Sequence, residues 1–172
     1  MNPIDYIIYS PLPDYYHEAY NHNALRGWVS TELSPDTYDI TKIKPGRCPL
    51  KHIIEYTIPK IEKIKHKISG FFIAEGDVEI DITYDEFLKM NITVPMWLGY
   101  KKKLKDYIVG AFLLYIPINY FEEFKMYVNV KRLVYSDRLF TRLVEQGWLH
   151  LHHETLAHEI PHFSNVLGKF RK

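Results

Sequence analysis

The spacing of apolar residues along the chain predicts four helices. They are a helix from Leu50 to Ile68 with an interruption at Pro59, a helix from Thr83 to Met90, a helix that begins near Asn119 and Glu122, and a helix from Asp137 to Gln146. Two of them have clear start signals, because Thr83 and Glu86 form a capping box and Ser136 is a suitable N-cap. Gly147 is placed to end the last helix.

Short runs of β-branched and aromatic residues between these helices predict strands. They cover residues 6–9, 25–31, 70–82, 94–100, 108–116 and 148–153. Alternation of strands with helices is typical of α/β proteins. We therefore expect a single α/β domain over residues 1–172, with a mostly parallel or mixed sheet flanked by helices.

Composition narrows the class of protein further. At about 150 residues per domain, 172 residues correspond to one domain. The net charge of +1 and the hydrophobic fraction of 47% argue against a disordered chain and against a polybasic nucleic-acid partner surface. The single cysteine, Cys48, excludes an internal disulfide and favours a reducing compartment, so a cytoplasmic protein is expected. The longest apolar stretch, residues 107–116, has about half of the roughly 20 residues that a membrane span needs.

Acidic residues repeat at every second position in the third predicted strand. Glu75, Asp77, Glu79 and Asp81 are expected on one face of it, because strand side chains alternate. Neighbouring carboxylates repel each other, and a hard divalent cation such as Mg²⁺ or Mn²⁺ relieves that repulsion. Gly76 lets a ligand approach the backbone closely. The segment is a candidate metal site, and the alternative is a solvated edge strand whose charges discourage pairing with another chain.

Histidines gather towards the end of the chain. They are His150, His152, His153, His158 and His162. His153, followed by Glu154, is five residues from His158, whereas a zinc-protease helix needs a spacing of four. Zinc-protease chemistry is therefore not expected. One tail histidine that binds a metal or a phosphate is expected instead, and the alternative is a polar surface tail.

Several short motifs follow one another in an informative order. They are Cys48-Pro49-Leu50-Lys51-His52, Phe72-Ile73-Ala74-Glu75-Gly76-Asp77-Val78, Trp97-Leu98-Gly99-Tyr100, Gly110-Ala111-Phe112-Leu113-Leu114-Tyr115, Ser136-Asp137 and Phe163-Ser164-Asn165. This succession spans most of the chain and resembles the lipopolysaccharide-type glycosyltransferases, the family that includes the procollagen galactosyltransferase domains. Two positions depart from the family pattern, since Lys51 replaces a serine and Gly76 replaces the middle aspartate of the acidic motif.

The resemblance implies a Rossmann-like, A-type glycosyltransferase fold and metal-dependent transfer of a sugar from a nucleotide-sugar donor to an acceptor hydroxyl. It implies that Glu75, Gly76 and Asp77 bind the donor. It also implies that Glu75 and Asp77 bind Mn²⁺ or Mg²⁺, and that His158 or His162 reaches the metal or the diphosphate.

On the acceptor side, the resemblance implies that Asp137 binds the acceptor or acts as the general base. The acceptor is expected to be a glycan, a protein or another compound with a hydroxyl group. Two other functions stay open. One is a metal-dependent hydrolase or nuclease that uses the acidic strand with the tail histidines, and the other is a non-catalytic binding module with the same fold.

Overall fold

A mixed β-sheet with helices packed against it forms the centre of the structure. The structure is a computed structural model, and it describes residues 4–9, 19, 21–28, 54, 57–75, 78–99, 102–104, 107–109, 113–129 and 136–159. The described strands are β1 (Ile4–Tyr9), β2 (Gly70–Glu75), β3 (Val78–Ile80), β4 (Met96–Trp97), β5 (Lys102–Leu104), β6 (Tyr107–Val109), β7 (Leu113–Pro117), β8 (His150–Leu151) and β9 (Ala157–Glu159). Five of them form one sheet in the order β1-β2-β7-β4-β8, and β3–β9 and β5–β6 form two small sheets. In the large sheet β1–β2 and β4–β8 are parallel, whereas β7 is antiparallel to both of its neighbours. The predicted α/β class with a mixed sheet is confirmed.

The described helices correspond to the predicted ones. They are α1 (Ile58–Ile64), α2 (Tyr84–Met90), α3 (Phe121–Val128) and α4 (Ser136–Glu145). Residues 54 and 57 have π-helical geometry, whereas α1 is α-helical. The change from one helix type to the other lies just before Pro59, where an interruption is predicted. The Thr83 cap is also confirmed, because its hydroxyl accepts the Glu86 N–H at 3.1 Å. Within the described segments, no helix has both the length and the apolar character that crossing a membrane requires.

The central strands bury side chains on both faces of the sheet. Phe71 and Ile73 of β2 lie in a core cluster with α1, α3 and α4. Phe72 and Ala74 lie in a second cluster with α2, β3, β9 and Trp28. This period-two division explains why β2 is a continuous apolar run, as expected for a strand that is covered on both faces. The carboxyl end of β2 is therefore held between two packed layers.

Two predicted strands are each divided in the structure. The run 70–82 forms β2 in the large sheet and β3 in a different sheet. The run 108–116 likewise forms β6 and β7, which belong to different sheets. Glycine stands at positions 76 and 110, between the two halves of each run, and glycine weakens a strand. The prediction of one continuous strand over residues 70–82 is therefore wrong.

The predicted strand 25–31 is wrong over its described part. Residues 21–24 are helical and residues 25–27 form a turn, in which Gly27 has a φ of +86°. A left-handed residue after a helical segment favours glycine, which has no Cβ to clash. The chain therefore turns at this point, and Trp28 enters the core.

Two other strands and one cap also differ from prediction. The predicted strands 94–100 and 148–153 are reduced to β4 and β8, of two residues each. The expected alternation around β8 fails, because His152 is buried while Leu151 is 40% exposed. The Asn119–Glu122 cap is wrong, since a 3₁₀ turn (Ile118–Tyr120) precedes α3 and no side chain caps that helix. Burial of its apolar face fixes α3 instead.

Ion pairs link α1 to α3 across the surface. Lys125 Nζ lies 2.9 Å from Glu62 Oε1 and 2.9 Å from Glu122 Oε2. The hydrogen bond from Lys125, followed by that from Lys65, holds the pKa of Glu62 below its usual range. The hydrogen bonds to Glu62 and Glu122 raise the pKa of Lys125. These groups are exposed to solvent, so salt screens the pairs and their contribution to stability is small.

Gly70 gives room to the ring of Tyr115 on the neighbouring strand. A Cβ at position 70 would clash with the hydroxyl group and ring of Tyr115. The ring cannot move away freely, because its centroid lies 4.8 Å from that of Phe72 and 5.0 Å from that of Phe87. We expect Gly70→Ala to lower the free energy of unfolding by about 1–3 kcal/mol, as overpacking does. Urea denaturation measures this change.

The same substitution in a Tyr115→Leu background provides the control. There the methyl group no longer meets the ring, so Gly70→Ala should cost less than it does in the wild type. Equal costs in the two backgrounds would contradict the steric explanation.

Candidate active site

The acidic segment begins at the carboxyl ends of two parallel strands. Glu75 is the last residue of β2 and lies opposite Tyr9, the last residue of β1. Ligands of open α/β sheets bind at such carboxyl ends. Gly76 and Asp77 lie outside the described residues, and β3 starts at Val78. The predicted donor-binding segment is therefore placed where the chain leaves one sheet and enters another.

β3 continues from this segment and pairs antiparallel with β9. The register sets Glu79 opposite His158. The apolar residues on either side of Glu79 are buried, whereas its side chain is 15% exposed on the other face of the strand. The pairing of β3 with β9 thus brings a carboxylate of the acidic run to a histidine of the tail.

Four side chains around β3 form a continuous series that we call the imidazole–carboxylate chain: His22, Glu79, His158 and Asp81. His22 Nδ1 lies 2.7 Å from Glu79 Oε2. The other oxygen of Glu79, Oε1, lies 3.5 Å from His158 Nε2. Finally, His158 Nδ1 lies 2.9 Å from the carboxylate oxygens of Asp81. The two imidazole rings meet edge to face, with centroids 6.2 Å apart.

The imidazole–carboxylate chain pairs each carboxylate with at least one imidazole. His22 Nε2 lies 3.1 Å from the carbonyl oxygen of Ile80. The other ring nitrogen of His22, Nδ1, contacts Glu79. Both ring nitrogens of His158 face carboxylates. Imidazole rings therefore stand beside Glu79 and Asp81, two of the carboxylates for which the sequence predicts a cation.

Side chains from residues 21–28 anchor β3 on the side away from β9. Asn23, which is 1% exposed, accepts the Ile80 N–H through Oδ1 at 2.7 Å. Its Nδ2 donates to the carbonyl of Val78 at 3.1 Å. The indole N–H of Trp28 donates to the carbonyl of Ile82 at 2.9 Å. Asn23 thus satisfies the backbone of β3 as a neighbouring strand does.

The described residues alone do not supply a metal site. Among them, no three histidine, cysteine, aspartate or glutamate side chains lie together in a way that could hold a metal ion. The side chains of Glu75, Asp77 and His162 lie outside the described set. His158 is the one predicted metal ligand whose side chain is described, and carboxylates flank it. Metal binding by Glu75, Asp77, His158 and His162 stays a prediction.

Asp137 lies in the first turn of α4, and its side chain is outside the described set. α4 packs in the core cluster that contains Phe71 and Ile73, whereas β3 and β9 belong to the cluster on the opposite face of β2. The structure therefore brings His158 to the acidic run. The predicted role of Asp137 stays a prediction.

Comparisons with known proteins bear on the fold. No family model and no curated protein matches the sequence. The structure is similar to that of a glycosyltransferase involved in the glycosylation of the major capsid of PBCV-1, with a TM-score of 0.59 over 91% of this chain and 93% of that one. The chain has a glycosyltransferase fold. At 9% sequence identity the likeness concerns the fold alone, and it confirms the predicted fold class.

On this glycosyltransferase fold, sequence reasoning missed two residues next to the acidic segment. They are His22, which contacts Glu79, and Asn23, which holds the backbone of β3. Both lie more than 50 residues before β3 in the chain, and the sequence predicts no element for residues 21–24. The sequence carries no local signal that could have identified them.

Proposed function

We propose that this protein transfers a glycosyl group from a nucleotide-sugar donor to an acceptor hydroxyl, as a member of the lipopolysaccharide-type glycosyltransferases. One observation carries the proposal. The segment from Glu75 to Asp77 follows the carboxyl end of β2, beside the parallel strand β1, in a chain whose fold is that of a glycosyltransferase over 91% of its length. That edge of the sheet is where a nucleotide ligand is expected.

In the proposed reaction, the acceptor oxygen forms a bond to the anomeric carbon of the sugar. The bond from that carbon to the diphosphate breaks, and the nucleoside diphosphate leaves with the electron pair. A carboxylate of the protein takes the proton of the acceptor hydroxyl. We assign this role, or binding of the acceptor, to Asp137. The acceptor is a glycan, a protein or another hydroxyl compound.

For the donor, we assign Glu75 and Asp77, with His158 or His162, as ligands of Mn²⁺ or Mg²⁺ beside the diphosphate. Such a cation, when bound, offsets the negative charge that develops on the leaving diphosphate. Gly76 allows the diphosphate to approach the backbone. Asp81 acts as a positioning residue, because its carboxylate lies 2.9 Å from His158 Nδ1 and leaves Nε2 as the nitrogen that would bind the cation.

Thermal unfolding with nucleoside diphosphates and Mn²⁺ tests the proposal. A nucleoside diphosphate at 100 times its Kd is expected to add about 2.7 kcal/mol to the free energy of unfolding. Asp77→Asn should abolish this stabilisation, because the neutral amide lacks the negative charge with which the carboxylate attracts a divalent cation. Asp85→Asn, at an exposed position in the first turn of α2, is the matched control and should retain it.

A screen for slow hydrolysis of nucleotide sugars then tests turnover without knowledge of the acceptor. Release of a nucleoside diphosphate by the wild type but not by Asp77→Asn supports the transferase. Absence of stabilisation by any nucleoside diphosphate contradicts it. Cleavage of a nucleic acid or an ester without a sugar donor would instead support the hydrolase, and stabilisation without hydrolysis or transfer would support a binding module.

A further inference from the structure

A cavity of about 390 Å³ opens at the end of the sheet away from the acidic segment. Ser69 and Pro117 mark its position, because they lie at the start of β2 and the end of β7. Glu75, at the other end of β2, is six residues away, or about 20 Å along an extended strand. The cavity is therefore distinct from the proposed donor site.

The cavity has an apolar floor and a polar rim. Phe87 of α2 and Tyr115 of β7 are 3% and 5% exposed, and their rings lie in contact at a centroid distance of 5.0 Å. Asn91, Thr93 and Asn119 are exposed around them. Amide and hydroxyl side chains both donate and accept hydrogen bonds. Such a rim suits a ligand with several hydroxyl groups.

The charge of the lining restricts the ligand further. Among the described residues that line the cavity, none is charged. A phosphate or carboxylate ligand would therefore lose its hydration without gaining a counter-charge, which is costly. A purely apolar ligand would make no use of the rim. A sugar ring fits both parts, because its C–H groups can cover the floor while its hydroxyl groups meet the rim.

The size agrees with this ligand class, since sites for small molecules measure about 300–1,000 Å³. We propose that this cavity binds a neutral saccharide unit. The inference rests on the proposed function in one respect, in that it takes the saccharide to be part of the glycan acceptor. The cavity then holds the acceptor glycan at a distance from the transfer site and contributes to its selection.

Binding is tested by protein NMR titration with methyl glucoside, methyl galactoside, methyl mannoside, cellobiose and lactose, without donor or Mn²⁺. We expect at least one of them to shift the signals of Asn91 and Thr93. Glucuronic acid, which carries a charge, should bind more weakly. No shift at these residues at concentrations up to tens of millimolar would overturn the proposal.

Two rim variants locate the site. Thr93→Val removes a hydroxyl group and keeps the shape of the side chain, and Asn119→Ala removes an amide. Each should weaken saccharide binding about three- to ten-fold, the effect of losing one neutral hydrogen bond. Asn129→Ala, an exposed asparagine at the end of α3 that does not line the cavity, should have no effect. Unchanged affinity in both rim variants would also overturn the proposal.

Separate readouts distinguish failure of this proposal from failure of the proposed function. Asp77→Asn should not change saccharide binding, and Thr93→Val should not change stabilisation by nucleoside diphosphates. Saccharide binding in a protein that no nucleoside diphosphate stabilises would support the cavity site and contradict the transferase. Stabilisation by a nucleoside diphosphate without any saccharide binding would contradict the cavity site alone.

Discussion

Trp28→Ala is expected to lower the free energy of unfolding by about 3–5 kcal/mol, the typical cost of truncating a buried aromatic side chain. Trp28 is 1% exposed, and its ring lies edge to face with Phe72 at a centroid distance of 5.2 Å. Tyr84 and Phe87 flank it at 5.3 and 5.8 Å. The substitution therefore leaves an apolar cavity between β2 and α2. Equilibrium urea denaturation measures the loss.

Trp28→Phe separates packing from hydrogen bonding. Phenylalanine keeps an aromatic ring in the core but has no donor for the carbonyl of Ile82. We expect it to cost about 1–2 kcal/mol, less than the alanine variant. A cost below about 1 kcal/mol for Trp28→Ala would show that residues 21–28 are not part of the cooperative core.

Elements with local signals could be predicted from the sequence. The start of α2 depends on Thr83 and a glutamate three residues later, and that hydrogen bond is present in the structure. The end of α4 depends on Gly147, which has the left-handed φ of +78° that such an ending requires. Each signal lies within one turn of the element that it defines, so no information about distant residues is needed.

Strand continuity could not be predicted in this way. The sequence of residues 70–82 is that of a single strand, yet Gly70–Glu75 and Val78–Ile80 belong to different sheets. β2 pairs with β1 and β7, whereas β3 pairs with β9, which lies almost 80 residues later in the chain. Where a strand stops is therefore set by its partners rather than by its own sequence.

The sequence predicts which residue types form the candidate site but not how they are arranged. The acidic run and the histidine-rich tail were both recognised, and the structure brings one member of the tail, His158, to Glu79 and Asp81. The other partner of Glu79 is His22, from a helical segment, residues 21–24, for which the sequence predicts no element. Contacts between single polar residues that are far apart in the chain leave no periodic signal in the sequence. The sequence therefore identifies the residue types of the site, whereas their arrangement depends on the fold.

Asn23→Ala is expected to lower the free energy of unfolding by about 2–4 kcal/mol, because it leaves two buried backbone groups without their partners. These groups are the N–H of Ile80 and the carbonyl of Val78, both in the strand that follows the acidic segment. Asn23→Asp should cost at least as much, since its carboxylate still accepts from Ile80 but is buried without a counter-charge and faces the carbonyl of Val78. Urea denaturation of the three proteins ranks the effects.

Asn21→Ala is the matched control, because Asn21 lies in the same helical segment and is exposed. Alanine has the higher helix propensity at both positions, so the difference between the two variants reports the buried contacts of Asn23, its two hydrogen bonds and its packing. Hydrogen exchange at the Ile80 amide adds a local readout, which should accelerate in Asn23→Ala and not in Asn21→Ala. Equal stabilities of the two variants would contradict the anchoring of β3 by Asn23. Faster exchange at Ile80 beyond that explained by the global loss would show that this side chain holds the strand beside Asp77 in place.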